Sequence, residues 1–224
     1  MSTFKDLFSQ HVASSWLKQQ QLGEIIGNRS WQVDLDTGVL SFGDGLNFPV
    51  QMIGTESERD GTWLWSWANT GSNIPPALLV CAQSLQQLGE AQGIAELTQP
   101  EIDLSQVSGH FLTMIASGVC NADAYYRGPY QGGAAFFTLQ SLPPRQTPMT
   151  VMLVNVLSSV IMQFDVDHRL MTRSFLTQQG YQVTESDTQL IASAPNDRTI
   201  TVNFNERGAI SGMDTTAKPE YLDK

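Results

Sequence analysis

The stretch WQVDLDTGVLSFGDGLNFPVQMIGTESERDGTWLWSWA, residues 31–68, decides the fold of this chain. Apolar and polar residues alternate along it, and short clusters rich in Gly, Asp, Ser and Glu interrupt the alternation. Alternation with a period of two predicts half-buried strands, and such clusters predict turns. Four strands are predicted in this way, at residues 31–35, 39–42, 48–56 and 62–68. Because the turns between them are short, the strands are expected to form an antiparallel meander.

The fourth predicted strand carries tryptophan at alternate positions, Trp63, Trp65 and Trp67. Side chains two residues apart in a strand point to the same face of the sheet. Exposed indoles would indicate a sugar-binding or peptide-binding face, whereas covered indoles would belong to the core. We favour the core, because three indoles on one face bury a large apolar area under a helix.

Helical periodicity surrounds this meander. Apolar residues at three- and four-residue steps predict a first helix that ends near Gly27, a second from Pro76 to about Gly93, and a third over His110–Cys120. Two further strands, residues 124–127 and 134–141, flank the glycine-rich segment 128–133 and predict a hairpin that extends the sheet.

Residues 142–148, Leu-Pro-Pro-Arg-Gln-Thr-Pro, predict a boundary between two domains, at 1–142 and 148–224. Consecutive prolines resist both helix and central strand and favour an extended connection. Thr147 is expected to cap a helix that begins at Pro148 and runs to Phe164. A shorter helix is expected to follow as far as Gly180. Four more strands are then predicted, at residues 181–185, 189–194, 199–205 and 209–214, with a turn at 196–197.

A helix followed by four strands is thus predicted twice. Strands in runs and helices in runs, without regular alternation, predict an α+β fold in which antiparallel β-meander sheets pack against helices. The helix over Met149–Phe164 is apolar around most of its circumference, unlike a surface helix. It is therefore expected either at the centre of the core or in the interface of a homodimer.

Composition excludes several classes of partner. The 224 residues carry a net charge of −10, and only 15% of them are charged. A chain that lacks a basic cluster would repel nucleic acid and anionic membrane surfaces, so neither is expected as a partner. The run Met149–Phe164 is too short to span a bilayer. The N-terminus has neither the basic start nor the continuous apolar run of a signal peptide.

The two cysteines, Cys81 and Cys120, lie within helical apolar patterns. A free cysteine is commonly a small buried hydrophobic residue, and we expect that role for both rather than a disulfide or a metal ligand. The default prediction that follows is a reducing, cytoplasmic location.

Motifs for familiar chemistry are absent from the sequence. It contains no glycine-rich nucleotide fingerprint, no phosphate loop, no nucleophile elbow and no His-Glu-x-x-His, so no cofactor is predicted. The histidines, His11, His110 and His168, lie far apart and have no metal-ligand spacing. Asp165 and Asp167 next to His168 form the nearest cluster, which we interpret as helix capping.

One polar and aromatic concentration remains as a candidate ligand site, between the third helix and the glycine-rich segment. Loops of this kind often line pockets, although Tyr and Arg are also common on surface hairpins. Should the polar groups converge, His110, Asp123 and Arg127 would be able to perform acid–base chemistry. The candidate ligand-binding residues are His110, Asp123, Tyr125, Arg127 and Tyr130.

Several motifs occur together in a recognisable order. They are Ile53-Gly-Thr55, Trp63-Leu-Trp-Ser-Trp-Ala-Asn69, Leu88-Gly-Glu90 and Asn121-Ala-Asp-Ala-Tyr-Tyr-Arg127. In this respect residues 30–142 resemble a family of bacterial proteins of unknown function that carry a W-x-W-x-W-A-N strand. The resemblance implies a shared N-terminal fold and a bacterial cytoplasmic setting, and it implies no catalytic residue.

Two hypotheses about function follow. The first is a non-catalytic, soluble bacterial protein that binds a partner protein or a small ligand, as a chaperone or an immunity protein does. Its acidity would favour a basic client. The alternative is a small-molecule hydrolase or isomerase whose acid–base pair lies near His110, Asp123 and Arg127.

Overall fold

A computed structural model describes residues 2–144, 148–195 and 198–216. Two compact units make up the chain, one formed by residues 1–8 and 15–143 and the other by residues 9–14 and 144–224. The long first helix, α1 (Phe4–Ile26), contributes residues to both. Thr3 caps its N-terminus in a reciprocal capping box with Asp6. The helix ends at the C-cap residue Gly27, which is where the sequence predicts its end.

The first unit is built on a seven-stranded antiparallel sheet. Its strands are β1 (Gln32–Asp34), β2 (Val39–Ser41), β3 (Asn47–Ser57), β4 (Thr62–Trp65), β5 (Glu101–Asp103), β6 (Ala124–Tyr130) and β7 (Gly133–Leu139). The first five pair in chain order, while β7 pairs with β3 and carries β6 on its other side. The helices of this unit after α1 are α2 (Val80–Gln92), α3 (Ala95–Thr98) and α4 (Gly109–Val119). These antiparallel sheets and helices confirm the predicted α+β class.

The tryptophan strand is shorter than the sequence predicts. Strand β4 ends at Trp65, and Ser66–Ala68 form a turn of 3-10 helix. The Ser66 hydroxyl donates to the carbonyl oxygen of Met52 at 2.6 Å, which holds the chain after it has left the strand. Trp63 and Trp65 are fully buried, as expected of core residues, whereas Trp67 leaves the shared face and is half-buried.

The connection after α2 contains two elements that the sequence pattern does not predict. Helix α3 is a single turn. Strand β5 pairs with β4 in an antiparallel register that places Asp103 opposite Thr62. The indole Nε1 of Trp65 donates to the carbonyl oxygen of Glu96 in α3 at 3.1 Å. Both elements are too short to show periodicity, so contacts with α2 and β4 decide their conformation.

The glycine-rich segment 128–133 is mostly strand rather than loop. Strand β6 continues through Gly128 and Pro129 to Tyr130, and the turn is limited to residues 131–132. Proline is tolerated here because β6 pairs with β7 alone and lies at the edge of the sheet.

The cysteines are not free. Cys81 in the first turn of α2 and Cys120 at the end of α4 form a disulfide, and their Cα atoms lie 5.8 Å apart. The expectation of two separate buried thiols was therefore wrong. Each helical pattern was interpreted by itself, whereas the bond depends on α2 and α4 packing side by side, a contact between residues 39 positions apart.

The second unit contains two helices and a four-stranded antiparallel sheet. The helices are α5 (Thr150–Gln163) and α6 (His168–Gln178), and the strands are β8 (Gln182–Glu185), β9 (Gln189–Ala194), β10 (Arg198–Phe204) and β11 (Ile210–Thr216). They pair in chain order, so a helix followed by a four-strand meander does recur. Asp167 caps α6 through a bond from the backbone N–H of Leu170, as predicted. The predicted cap at Thr147 and the turn at 196–197 lie outside the described residues.

Helix α5 begins at Thr150, two residues later than predicted, with Met149 at its N-cap. One face is buried, and its members are Thr150, Leu153, Val156, Leu157 and Val160. On the other face Val151 is 54% exposed and Met162 is 84% exposed. The chain by itself therefore does not enclose this helix. No helix within the described ranges combines the length and the apolar character needed to cross a bilayer.

Candidate functional site

The candidate site is built on one face of the sheet in the first unit. Arg127 on β6 pairs with Phe136 on β7, and Phe136 pairs with Gly54 on β3. Paired residues in a sheet share a face, and so do residues two apart along a strand. Tyr125 and Glu56 are therefore on the face that carries Phe136. Helix α4 packs near this face, with its first turn beside Glu56.

Glu56 joins the strand to the helix and to Arg127. Its Oε1 accepts a hydrogen bond from the backbone N–H of Gly109 at 3.2 Å, in the first turn of α4. Its Oε2 lies 3.3 Å from Nε of Arg127. The Glu56 side chain is only 13% exposed, and that of Arg127 is 33% exposed. An acceptor at a helix N-terminus is satisfied there, so Glu56 is a fixed anchor for the guanidinium.

His110 is held by Tyr125. The distance between Nδ1 of His110 and the hydroxyl oxygen of Tyr125 is 3.0 Å. Burial lowers the pKa of His110, with Glu56 opposing and Arg127 reinforcing the change, so the imidazole is neutral near pH 7. Burial also raises the pKa of Tyr125, whose hydroxyl stays protonated. With Nδ1 committed to Tyr125, Nε2 is the ring nitrogen left for other chemistry.

Phe136 brings the two pairs together. The ring centroid of His110 lies 5.4 Å from that of Phe136, and the guanidinium carbon of Arg127 lies 5.9 Å from the same centroid. A neutral imidazole, hydrogen-bonded to a buried phenol, and a guanidinium held by a carboxylate thus lie beside one buried aromatic ring. We call His110, Tyr125, Arg127 and Glu56 the polar cluster.

The other two predicted residues have different contacts. Asp123 precedes β6, and its Oδ2 accepts a hydrogen bond from the backbone N–H of Leu142 at 3.2 Å. At the rise of an extended strand its Cα is about 13 Å from that of Arg127. Tyr130 is the last residue of β6 and is 48% exposed. The carboxylate that contacts Arg127 is Glu56.

Sequence reasoning missed Glu56 and Phe136. Glu56 is the only charged residue in the predicted strand 48–56, and an isolated charge in a strand is a usable signal. Phe136 gave no such signal, because an aromatic residue in a strand is ordinary core material. Its role depends on the pairing of β7 with both β3 and β6, which is set by long-range contacts.

The second unit has an open hollow of about 710 Å³ beside Arg169. The guanidinium of Arg169 lies 4.3 Å from the ring centroid of Phe204. It also donates to the backbone carbonyl oxygens of Ser186 and Asp187. These contacts tie α6 to the loop between β8 and β9, so the arginine has a structural role there.

No group of three His, Cys, Asp or Glu side chains within the described ranges is placed to hold a metal ion. Neither a curated protein nor a solved structure shows significant similarity to the chain. A family model does match, over residues 5–142, which is more than half of the chain and includes the whole polar cluster. The chain therefore belongs to the family of unknown function DUF6882.

Proposed function

We propose that the first unit binds a small ligand through the polar cluster, without a chemical step. The observation that carries this proposal is the approach of Arg127 and His110 to the same aromatic ring, each held from behind by a second polar side chain. A small number of preorganised polar groups is one component of the usual composition of a ligand site.

The chemistry of the cluster defines the ligand class. The only hydrogen bond of Arg127 within the described residues goes from Nε to Glu56, which leaves its Nη donors for an oxyanion. Carboxylate is the group that a guanidinium fork matches best. Nε2 of the neutral His110 adds one donor or acceptor beside the guanidinium. The proposed ligand is therefore a small carboxylate with a second polar group.

Differential scanning fluorimetry with a panel of small aromatic and aliphatic carboxylates, including hydroxy acids, tests this proposal. At least one compound is expected to raise the melting temperature of the wild-type protein in a saturable way. Arg127→Gln should abolish the increase, because the oxyanion loses its partner. Arg59→Gln is the matched control, since Arg59 is 92% exposed on the turn between β3 and β4.

Equal stabilisation of Arg127→Gln and the wild type by every compound that binds would refute the proposal, and so would a panel without any hit. His110→Gln gives an independent check. It should weaken binding of the same compound while the guanidinium remains in place.

A second candidate function is acid–base catalysis, as in a hydrolase or an isomerase. The observation that favours it is the neutral imidazole of His110 with Nε2 available, hydrogen-bonded to a protonated phenol. Turnover of a carboxylate from the panel by the wild type, lost in His110→Gln, would favour catalysis. Binding without turnover would favour the first candidate.

Three further expectations from the sequence concern the domain that carries the function, the charge of a protein partner and the location in the cell. The role proposed here belongs to the first of the two predicted domains, residues 1–142, and the acidity of the chain still favours a basic client if the partner is a protein. The cytoplasmic prediction relied partly on two free thiols and partly on an N-terminus unlike a signal peptide. The disulfide between Cys81 and Cys120 removes the support from the thiols, because such bonds persist mainly in oxidising compartments.

A further inference from the structure

The outer face of α5 carries a narrow stripe without charge. Val151, Asn155, Ser158 and Met162 are spaced by four, three and four residues, which places all of them within about 60° of the helix circumference. Val151 and Met162 are 54% and 84% exposed, Asn155 is exposed and Ser158 is half-buried. We call these four residues the α5 stripe.

The α5 stripe is symmetric about its own midpoint. Reversing the order of its residues exchanges Val151 with Met162 and Asn155 with Ser158, so apolar residues lie at both ends and small polar residues lie in the middle. Of the flanking residues, Met152 exchanges with Ile161, which is also apolar, whereas Val154 exchanges with the polar Ser159 and departs from the symmetry. Two antiparallel helices related by a two-fold axis bring such positions opposite each other.

We propose that two copies of this chain associate through the α5 stripe, as an antiparallel helix pair whose two-fold axis passes between Val156 and Leu157. Val151 of each copy then packs on Met162 of the other. The amide nitrogen of Asn155 donates to the hydroxyl oxygen of Ser158 in the second copy. That oxygen is free to accept, because the hydroxyl hydrogen already goes to the carbonyl oxygen of Val154 at 3.0 Å.

A second copy fits the stripe better than the other occupants do. Helix α5 has no charged residue, so two copies bring no like charges together at the contact. A membrane surface is disfavoured, because interfacial helices carry basic residues and this chain has a net charge of −10. Polar contacts within a helix seam are also a known way to fix register, and the two-fold axis supplies the Asn155–Ser158 contact twice.

The size of the contact sets its strength. One helix pair of 14 residues covers less area than the roughly 800 Å² per partner of a standard interface, so the dimer is expected to be weak and dependent on concentration. The net charge of each copy adds long-range repulsion, which salt screens. Dimerisation should therefore increase with ionic strength, the opposite of association through complementary charges.

Sedimentation equilibrium over a wide range of protein concentration tests the association. At low concentration the mass should equal the 24.7 kDa of one chain, and it should approach twice that value as concentration and salt increase. Val151→Glu and Met162→Lys should each keep the protein monomeric. The double variant should regain the dimer. The new carboxylate at 151 of each copy then faces the new ammonium at 162 of the other copy, which gives two ion pairs related by the axis.

Val80→Glu is the control, since Val80 is an equally exposed apolar residue on a different helix, α2. It should leave the association unchanged. A wild-type protein that stays monomeric at the highest concentration and salt would overturn the proposal. Dimerisation of the wild type without rescue in the double variant would overturn the antiparallel register.

Cysteine crosslinking checks the same register without a charge change. Both native cysteines are in the disulfide, so Asn155→Cys and Ser158→Cys each introduce a single free thiol. Under mild oxidation the mixture of the two variants should form a disulfide-linked dimer faster than either variant alone, because position 155 faces position 158. Faster crosslinking within each separate variant would indicate a parallel pair and refute the proposal.

Discussion

At the scale of single residues, Trp63 organises the proposed site although it is not part of it. A Cβ atom at Gly54 would lie 2.3 Å from Cζ2 of Trp63, and one at Gly109 would lie 2.8 Å from Cζ3 of the same ring. The indole is therefore packed between two glycines, one on β3 and one at the start of α4. The absence of side chains at these two positions lets α4 approach the sheet closely enough for Gly109 to reach Glu56.

Gly54→Ala tests this packing. The added methyl group would also lie 2.7 Å from the carbonyl oxygen of Leu64, and Trp63 is fully buried and has no free space to move into. We expect a loss of about 3 kcal/mol in the free energy of unfolding, measured by urea denaturation. Gly23→Ala on α1 is the control. Nothing lies within 4 Å of its added carbon, and helix propensity should stabilise it by up to about 1 kcal/mol.

The lowered pKa of His110 predicts a pH dependence of stability. Burial keeps the folded imidazole neutral while the unfolded one titrates near its ordinary value of 6.5, so below that pH the unfolded state binds more protons. Stability should therefore fall as the pH decreases through 6.5, by at most about 1.4 kcal/mol per pH unit.

His110→Gln isolates this contribution, because glutamine can still hydrogen-bond to Tyr125 and the other titrating groups are common to both proteins. The difference in unfolding free energy between wild type and variant should decrease from pH 8 to pH 5 in urea titrations. A difference that is constant with pH would show that His110 titrates normally in the folded protein.

At the scale of elements, the disulfide between α2 and α4 is the covalent link closest to the polar cluster. It closes a loop with a sequence separation of 39 residues, which contains α2 except Val80, together with α3, β5 and the whole of α4. Cys120 lies at one end of α4 and His110 at the other. The bond therefore limits how far the helix that carries His110 can move from α2.

Cys81→Ala combined with Cys120→Ala measures this link. For a loop of this length the chain-entropy model predicts a loss of about 4 kcal/mol on removal of the bond. Urea unfolding of the wild type with a strong reductant should give nearly the stability of the double variant, which should itself not respond to reductant. Identical wild-type curves with and without reductant would contradict the prediction.

The limits of sequence reasoning are clearest for these elements. Long periodic segments such as α1, α6 and the strands of the second unit were predicted closely, because burial of one face decides them locally. The ends of β4 and β6 and the existence of α3 and β5 were not, since contacts with distant strands decide them. The site shows the same division. His110, Tyr125 and Arg127 stood out as polar residues near a hairpin, but Glu56 joined them only through the pairing of β3 with β7.

At the scale of the whole molecule, the two units use the charge-poor composition differently. The first unit surrounds a buried aromatic face with a few polar groups that contact one another. The second unit leaves an apolar helix face exposed and without charge. A single net charge of −10 therefore describes neither unit by itself.

Helix α1 contributes residues to both units, and this predicts a sequence difference among relatives of the protein. Val12 and Ala13 are 0% and 1% exposed and belong to the segment of α1 that groups with the second unit, whereas the family match ends at residue 142. A family member that lacks the C-terminal part would lose the residues that group with this segment. Such relatives are expected to carry hydrophilic residues at the positions of Val12 and Ala13. The residue types at these two positions should therefore distinguish homologues that have the second unit from homologues that lack it.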